Sequence, residues 1–228
     1  EASVIIMAGV DTFVRRSPDQ YVVFKTAESP RHFGFTAASS PDFFNASMTY
    51  MHGQPSTTPY GYTIKLAQPR PYEKVVNRPL LDAKNNTIAW FVSHCDAPSK
   101  RFELGRELMK LIRVDAYGRC FGRKEKCSWT DCLPKLTFEY HFYLAFENSV
   151  CTDYMTEKLW HQGYQYIVVP IVLKRSIVEP FVPPHSFIAV DDFPTLYELV
   201  DHLNYLMANK TAYAEYFAWR QYYITVLL

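Results

Sequence analysis

Short runs of consecutive apolar residues punctuate the chain. They are SVIIM (3–7), YVVFK (21–25), IAWFVS (88–93), HFYLAFE (141–147), QYIVVPIVL (165–173) and SFIAV (186–190). Each is too short for a buried helix and is bounded by polar or turn residues, so each reads as a buried strand. Between them the period lengthens. Leu104, Leu108, Leu111 and Ile112 recur at helical spacing after the start signal Asp96-Ala97-Pro98, which predicts a helix within 96–114. Leu196, Leu199, Val200, Leu203, Leu206 and Met207 form an apolar stripe, predicting a helix from about Pro194 to Ala208. A further helix is read over 211–220, and another from Asp153, a residue type suited to an N-cap. Strands alternating with helices from residue 88 onward indicate a parallel, doubly wound sheet.

The intervening segments read differently. Residues 26–60 are rich in Ser, Thr, Pro, Gly and Asn and predict long loops with little regular structure. VDAYGRC (114–120) reads as a turn, followed by a Cys-rich loop to Leu133. The polar stretch VVNRPLLDAKNNT (75–87) reads as irregular. Placing a domain boundary there gives an N-terminal domain over 1–84 and a C-terminal domain over 85–228.

Composition narrows the class. The chain has 228 residues, of which 48% are hydrophobic and 21% charged, which suits a filled globular core rather than disorder. With 24 basic against 23 acidic residues the net charge is +1, so bulk electrostatic binding to nucleic acid is not expected. Basic residues gather locally at Lys100, Arg101, Arg123, Lys124 and Lys126. Aromatics reach 16%, with 17 Tyr; such residues fill cores, and also line clefts for sugars and nucleotides. The longest apolar run, YIVVPIVL, falls far short of a membrane span of about 20 residues. Three glycosylation acceptor triplets begin at Asn45, Asn85 and Asn209. Five cysteines, Cys95, Cys120, Cys127, Cys132 and Cys151, fit a secretory-pathway protein with at least one bridge and one thiol left over. They lack the tight Cys pairs and the His of a zinc site.

The densest chemistry follows a strand. YHFYLAFENSVCTDYMTEKLW (140–160) places Glu147, Asn148, Tyr154, Glu157 and Lys158 just beyond an apolar run. On a helix starting at Asp153, Tyr154, Glu157 and Lys158 share one face. Ligands of open α/β sheets bind beyond the carboxyl ends of strands. There an acid can accept from ribose hydroxyls while an ammonium neutralises phosphate. The spacing alone is equally that of a surface salt bridge. Arg101, at the start of the preceding helix, suits a pyrophosphate by its fork geometry, but by position alone it reads as a solvated helix arginine. Asp191-Asp192, between a strand and a helix, reads as a helix cap rather than a metal-binding pair.

Several segments resemble the α1,3/α1,4-fucosyltransferase family: FYLAFENSVCTDYMTEKLW, VPPHSFIAVDDFPTLYELVDHLNYLMANKTAYAEYFAWR, AWFVSHCDAPSKR with VDAYGRC, and upstream YVVFKTAESP and DFFNASMTYMHGQPSTTPYG. The resemblance implies an α/β, GT-B-like fold of two Rossmann-like domains facing a cleft, the N-terminal one incomplete here. The domain at 1–84 would take the acceptor side and that at 85–228 would bind GDP-fucose. It implies an inverting transfer of L-fucose from GDP-fucose, in α1,3-linkage, to an N-acetylglucosamine-containing glycan. Glu28 would be the general base, Glu157 would hold the ribose, and Lys158 and Arg101 the pyrophosphate. Asn148 and Tyr154 would complete the donor pocket, with Ser93 on its wall. No metal is required for such catalysis, though a divalent metal is compatible with stimulation. The resemblance also implies the Golgi lumen, with a membrane anchor and stem preceding Glu1. Direct displacement needs one carboxylate for the acceptor proton and cations on the leaving diphosphate, and Glu28 lies just past a strand end, where cleft residues belong.

The chain departs from the family pattern at several places, among them Ala46-Ser47 and Ser93-His94-Cys95. The acceptor-side loop reads Tyr50-Met51-His52-Gly53-Gln54-Pro55-Ser56 where the family carries an Arg and acids, and Leu173-Lys174-Arg175 stands where it carries a Gly. The alternative expectation is therefore a weakened paralogue that binds GDP or glycan without transfer. A transferase for another nucleotide sugar is a third, since the Glu157-Lys158 pair does not by itself name the sugar.

Overall fold

The computed structural model describes residues 4–7, 18–32, 44–121 and 129–228. Among the residues singled out above, Arg123, Lys124, Lys126 and Cys127 lie outside these. The chain opens with a parallel three-stranded sheet, β1 (Val4–Met7), β2 (Tyr21–Thr26) and β3 (Ala46–Thr49), in that order. Next come β4 (Gly61–Lys65) and two short helices, α1 (Tyr72–Val75) and α2 (Arg78–Asp82). Residues 46–49 are thus a strand inside the segment expected to be irregular. They carry only Ala46 and Met48 as apolar residues, but pair with β2 in register from Val23↔Ala46 to Thr26↔Thr49. Likewise α2 forms inside the stretch read as irregular, because Asn77 accepts from the backbone N–H of Leu80 and Pro79 sits in the first turn.

The larger sheet is built from β5 (Asn86–Phe91), α3 (Arg101–Met109), β6 (Val114–Tyr117), α4 (Trp129–Phe138), β7 (Tyr140–Leu144), β8 (Val169–Val172), α5 (Arg175–Val178) and β9 (Ile188–Ala189). Its five strands are parallel in the order β6-β5-β7-β8-β9. Residues 114–117 are therefore a strand rather than a turn; burial alternates along it, so half of its residues are only partly buried and its apolar signal is weak. Every residue of β7 and β8 is buried, as expected for a parallel sheet covered on both faces. One face packs Ile88, Trp90, Phe142, Leu144 and Ile171 against Leu108, against α6 (Leu196–Ala208) through Leu199, Leu203 and Leu206, and against α7 (Lys210–Glu215) through Tyr213. Val76 and Leu81 join this core from the N-terminal side. The other face packs Ala89, Phe91 and Tyr143 against Leu136, Leu159 and Trp160. Gly105 lets α3 lie against the sheet, since a Cβ there would sit 2.4 Å from the Trp90 ring. A last strand, β10 (Tyr223–Leu227), pairs antiparallel with β4.

Two caps differ from expectation. Asp153 does not cap a helix: its φ is 59°, and Lys158–Gly163 form a π-helical turn with Glu157 at its start. Asp191 and Asp192 do not cap α6; Thr195 does, in a capping box with Glu198. The two aspartates instead hold Arg175, Asp191 through the backbone N–H at 2.9 Å and Asp192 through the guanidinium at 2.6 Å.

Candidate active site

The chain leaves β5 for β6 on one side, then returns past β5 to reach β7 on the other. That reversal opens a crevice at the carboxyl ends of β5 and β7, where ligands of such sheets bind. Arg101 closes its floor. The side chain is buried, not solvated, and its guanidinium donates to the carbonyls of Phe146 (2.7 Å) and His94 (3.1 Å), one on each side of the reversal. Burial lowers its pKa, opposed by the nearby Glu147. Ser99 ties the same loops through the carbonyl of Glu147 (2.7 Å) and, by its N–H, that of Asn148 (3.2 Å). A Cys95–Cys120 disulfide joins the loop after β5 to that after β6. The polar atoms buried without a partner among the described residues include Arg101 Nε and Asn148 Oδ1. Buried groups of this kind call for a partner.

Lys158 reaches this crevice from the π-helical turn. Its Nζ lies 2.9 Å from Glu157 Oε1, 3.2 Å from Glu147 Oε2 and 2.9 Å from Thr156 Oγ1. Burial works against the charge of Lys158, but the two carboxylates outweigh it and raise the pKa. Burial also works against Glu157, where Lys158 outweighs it and holds the carboxylate below its usual range. For Glu147 burial wins and raises the pKa, even though Lys158 and Thr156 favour the ionised form. Its Oε1 accepts from the Thr156 N–H (2.7 Å) and hydroxyl (2.9 Å).

The N-terminal strands supply the opposite wall. Just past β2, the exposed carboxylate of Glu28 accepts from the Tyr154 hydroxyl at 2.9 Å. The Ser29 hydroxyl donates to that of Ser149 at 2.8 Å, the His52 N–H donates to Asp153 at 3.0 Å, and the Tyr50 ring meets Tyr154 edge-on at 4.8 Å. Tyr60 donates to the Ala27 carbonyl. Its phenol is pushed up by burial, then by Glu157, Glu28 and Glu147, so it too faces the acid cluster. A small, half-open recess is bounded by Glu147, Ser149, Tyr154, Val172, Lys174 and Ile177 among others.

Of the expected site residues, Glu28, Arg101, Asn148, Tyr154, Glu157 and Lys158 line or adjoin this crevice. Tyr154 gets there from a loop rather than from a helical arc, since no helix begins at Asp153. Ser93 is exposed on the loop after β5, and its carbonyl accepts from Arg119 at 3.1 Å. Glu147 stands out in the sequence only as one of the polar cluster, with no role of its own, and Thr156 does not stand out at all. Eleven positions separate Glu147 from Lys158, and the chain between them is irregular, so no regular face announces the pair. Among the described residues no group of three or more His, Cys, Asp or Glu is placed to hold a metal ion.

The model of the glycosyltransferase family 10 (fucosyltransferase) C-terminal region matches residues 81–227. The chain belongs to this family. It is 47% identical, over its whole length, to alpha-(1,3)-fucosyltransferase fut-1 of Caenorhabditis elegans, covering 53% of that protein. It is 33% identical over 92% of its length to alpha-(1,3)-fucosyltransferase C of Drosophila melanogaster, covering 52%, and 36% identical over 91% of its length to human alpha-(1,3)-fucosyltransferase 4, covering 39%. This family 10 chain thus spans about half the length of the curated relatives it matches, or less. The crystal structure of an alpha1,3-fucosyltransferase with GDP-fucose superposes with a TM-score of 0.64, over 97% of this chain and 70% of that one, at 18% identity. That likeness bears on the fold, which is the GT-B-like α/β arrangement of this family.

Proposed function

We propose that the chain is the catalytic part of an inverting α1,3-fucosyltransferase, moving L-fucose from GDP-fucose to N-acetylglucosamine of glycoprotein or glycolipid glycans. One observation carries the reading: the Tyr154–Glu28 hydrogen bond sets an exposed carboxylate against a crevice that holds Lys158 and Arg101. Glu28 takes the acceptor hydroxyl proton as the oxygen attacks fucose C1. Lys158 and Arg101 stabilise the charge gathering on the departing diphosphate. Glu157 accepts from the ribose hydroxyls, and Asn148 Oδ1, buried and unpartnered, takes a donor from the nucleotide. Tyr154 closes the pocket, and Ser93 borders it. Residues 1–84 form the acceptor side and 85–228 the donor side. A Golgi lumenal setting agrees with a disulfide in the described chain and with exposed side chains at Asn45, Asn85 and Asn209.

The reading is tested by assaying transfer from a panel of nucleotide sugars to N-acetyllactosamine and chitobiose-core acceptors. Transfer from GDP-fucose alone, cut by about 10²-fold or more in Glu28→Gln, is expected. Binding of GDP without transfer to any acceptor would instead support the binding-only paralogue. Calorimetric GDP affinity unchanged in both Lys158→Ala and Glu157→Ala would remove the donor-site assignment.

A further inference from the structure

The three N–H bonds of the Lys158 ammonium are matched by three acceptors, Glu147, Glu157 and Thr156 Oγ1. A phosphate that draws on Lys158 must draw it from one of them. The two acids differ. The Glu157 side chain is 44% exposed, whereas that of Glu147 is 11% exposed and pinned by both polar atoms of Thr156. Water can solvate Glu157 when Lys158 turns away; for Glu147 there is little water to do so. Counting Arg101, the cluster holds two positive and two negative charges and is formally neutral. The diphosphate of a nucleotide sugar adds two more negative charges to it.

We propose that Glu147 couples donor binding to proton uptake: a nucleoside diphosphate sugar seated on Lys158 leaves the Glu147 carboxyl protonated. This rests on the reading that Lys158 faces the diphosphate. The physical reason is the sign of every change at Glu147. An anion arriving nearby disfavours its charged form, and loss of Lys158 contact removes what offsets its burial. Burial already raises its affinity for a proton in the free protein. Once protonated, one oxygen still accepts from the Thr156 N–H, and the new O–H donates to Thr156 Oγ1, whose own hydrogen turns away. The proton comes from solvent.

The groups facing Glu147 from each side do not supply this behaviour. Arg101 of α3 keeps its charge across neutral pH. Lys158 is held charged, and Glu157 is held ionised by Lys158. Tyr143 and Tyr154 are pushed up by burial and then by Glu147, so they stay neutral. Tyr60, on the opposite wall, is pushed up as well. Lys174, which shares the recess with Glu147, is an ammonium paired with Asp191 at 3.7 Å. Of the two imidazoles nearby, His32 and His94, which meet edge-on, His94, its ring nitrogen 3.0 Å from the Asp96 carbonyl, serves as the control.

The experiment is calorimetry of GDP-fucose binding, without acceptor, in buffers of different protonation enthalpy at one pH. GDP-fucose is the probe because its sugar ester removes the terminal phosphate proton that titrates in GDP. Expected is a binding enthalpy that varies with the buffer, giving uptake of up to one proton. Affinity should fall as pH rises from 6 to 8, by up to about tenfold per pH unit. Glu147→Gln should bind without uptake, and His94→Gln should keep it. An enthalpy independent of buffer, or uptake unchanged in Glu147→Gln, overturns the proposal. Absence of any binding overturns the assignment of Lys158 instead. Should Glu147→Gln fail to fold, difference infrared spectroscopy of the wild-type protein decides. A protonated-carboxyl band appearing on GDP-fucose addition supports the proposal, and its absence rejects it.

Discussion

The Tyr154 hydroxyl donates to Glu28 across the crevice at 2.9 Å, although the two residues lie 126 positions apart. The bond joins the loop that follows β7 to the carboxylate that follows β2. Through it the wall that follows β7 fixes where the carboxylate that follows β2 points. Tyr154 is itself buried and packed edge-on against Tyr50, so its hydroxyl is a fixed donor while Glu28 is the exposed partner.

Substituting Glu28 by Gln should therefore lower kcat for fucose transfer by roughly 10²- to 10⁴-fold, the usual scale of general-base loss, with GDP affinity little changed. Tyr154→Phe keeps the ring and removes only the bond; kcat should drop by about tenfold, a displaced base rather than a lost one. Steady-state kinetics with calorimetric GDP titration separates the two.

Lys158→Met leaves Glu147 and Glu157 without their shared cation. Because Glu147 is enclosed and takes up a proton once Lys158 is gone, denaturant unfolding should show a loss that deepens as pH rises, toward about 3–5 kcal/mol, the scale for an orphaned buried charge. Glu147→Gln combined with Lys158→Met should recover most of that stability but none of the donor binding. Recovery of both would mean that Lys158 serves folding alone.

Lys84 supplies a pH prediction. Its buried ammonium donates to the carbonyls of Leu136 (3.0 Å), Thr137 (2.6 Å) and Tyr140 (2.7 Å) at the end of α4, and burial pulls its pKa down to about 7. The unfolded chain holds that proton up to about 10.4. Between these values the unfolded state binds more protons, so folding stability climbs as pH rises from about 7 toward 10. Equilibrium unfolding against pH should show this slope in the wild type and lack it in Lys84→Met. That variant should also be less stable, by a few kcal/mol at most, because it orphans three carbonyls.

Reducing the Cys95–Cys120 bridge frees the loop that carries the His94 carbonyl bonded to Arg101. Stability should fall by about 3 kcal/mol. GDP affinity should also weaken several-fold, as Arg101 loses one of its two fixed carbonyls. Thermal unfolding and GDP titration of Cys95→Ser with Cys120→Ser, without reductant, test both.

The sequence exposes some of this readily. The strands under Ile88–Phe91, Phe142–Leu144 and Val169–Val172 announce themselves as unbroken apolar runs because both faces of a parallel sheet are dry. The stripe on α6 and the acid-base cluster after β7 are visible for similar local reasons. What stays hidden is set at long range. β3 is a strand because β2 pairs with it, and its own residues do not say so. Asp153 has a good cap side chain but takes a left-handed φ, and it accepts from His52 of the opposite wall instead. Arg101 looks like a surface residue of a short helix until the carbonyls of two distant loops are brought to it. Glu147 has a partner in Lys158 only because the chain folds back between them.

The pairing of β4 with β10 sets an order of events. Residues 61–65 meet 223–227 only when everything between them has left the ribosome, so this ladder forms after all the strands of the larger sheet have been made. Until then the edge of β4 is unpaired, and Gly61, which admits no Cβ beside Trp160 and the Val226 carbonyl, has neither neighbour in place. Loop-closure entropy makes such a contact slow to gain and early to fray. A polypeptide interrupted before residue 223 would therefore present an open strand edge, the kind of surface on which chains aggregate and which chaperones cover.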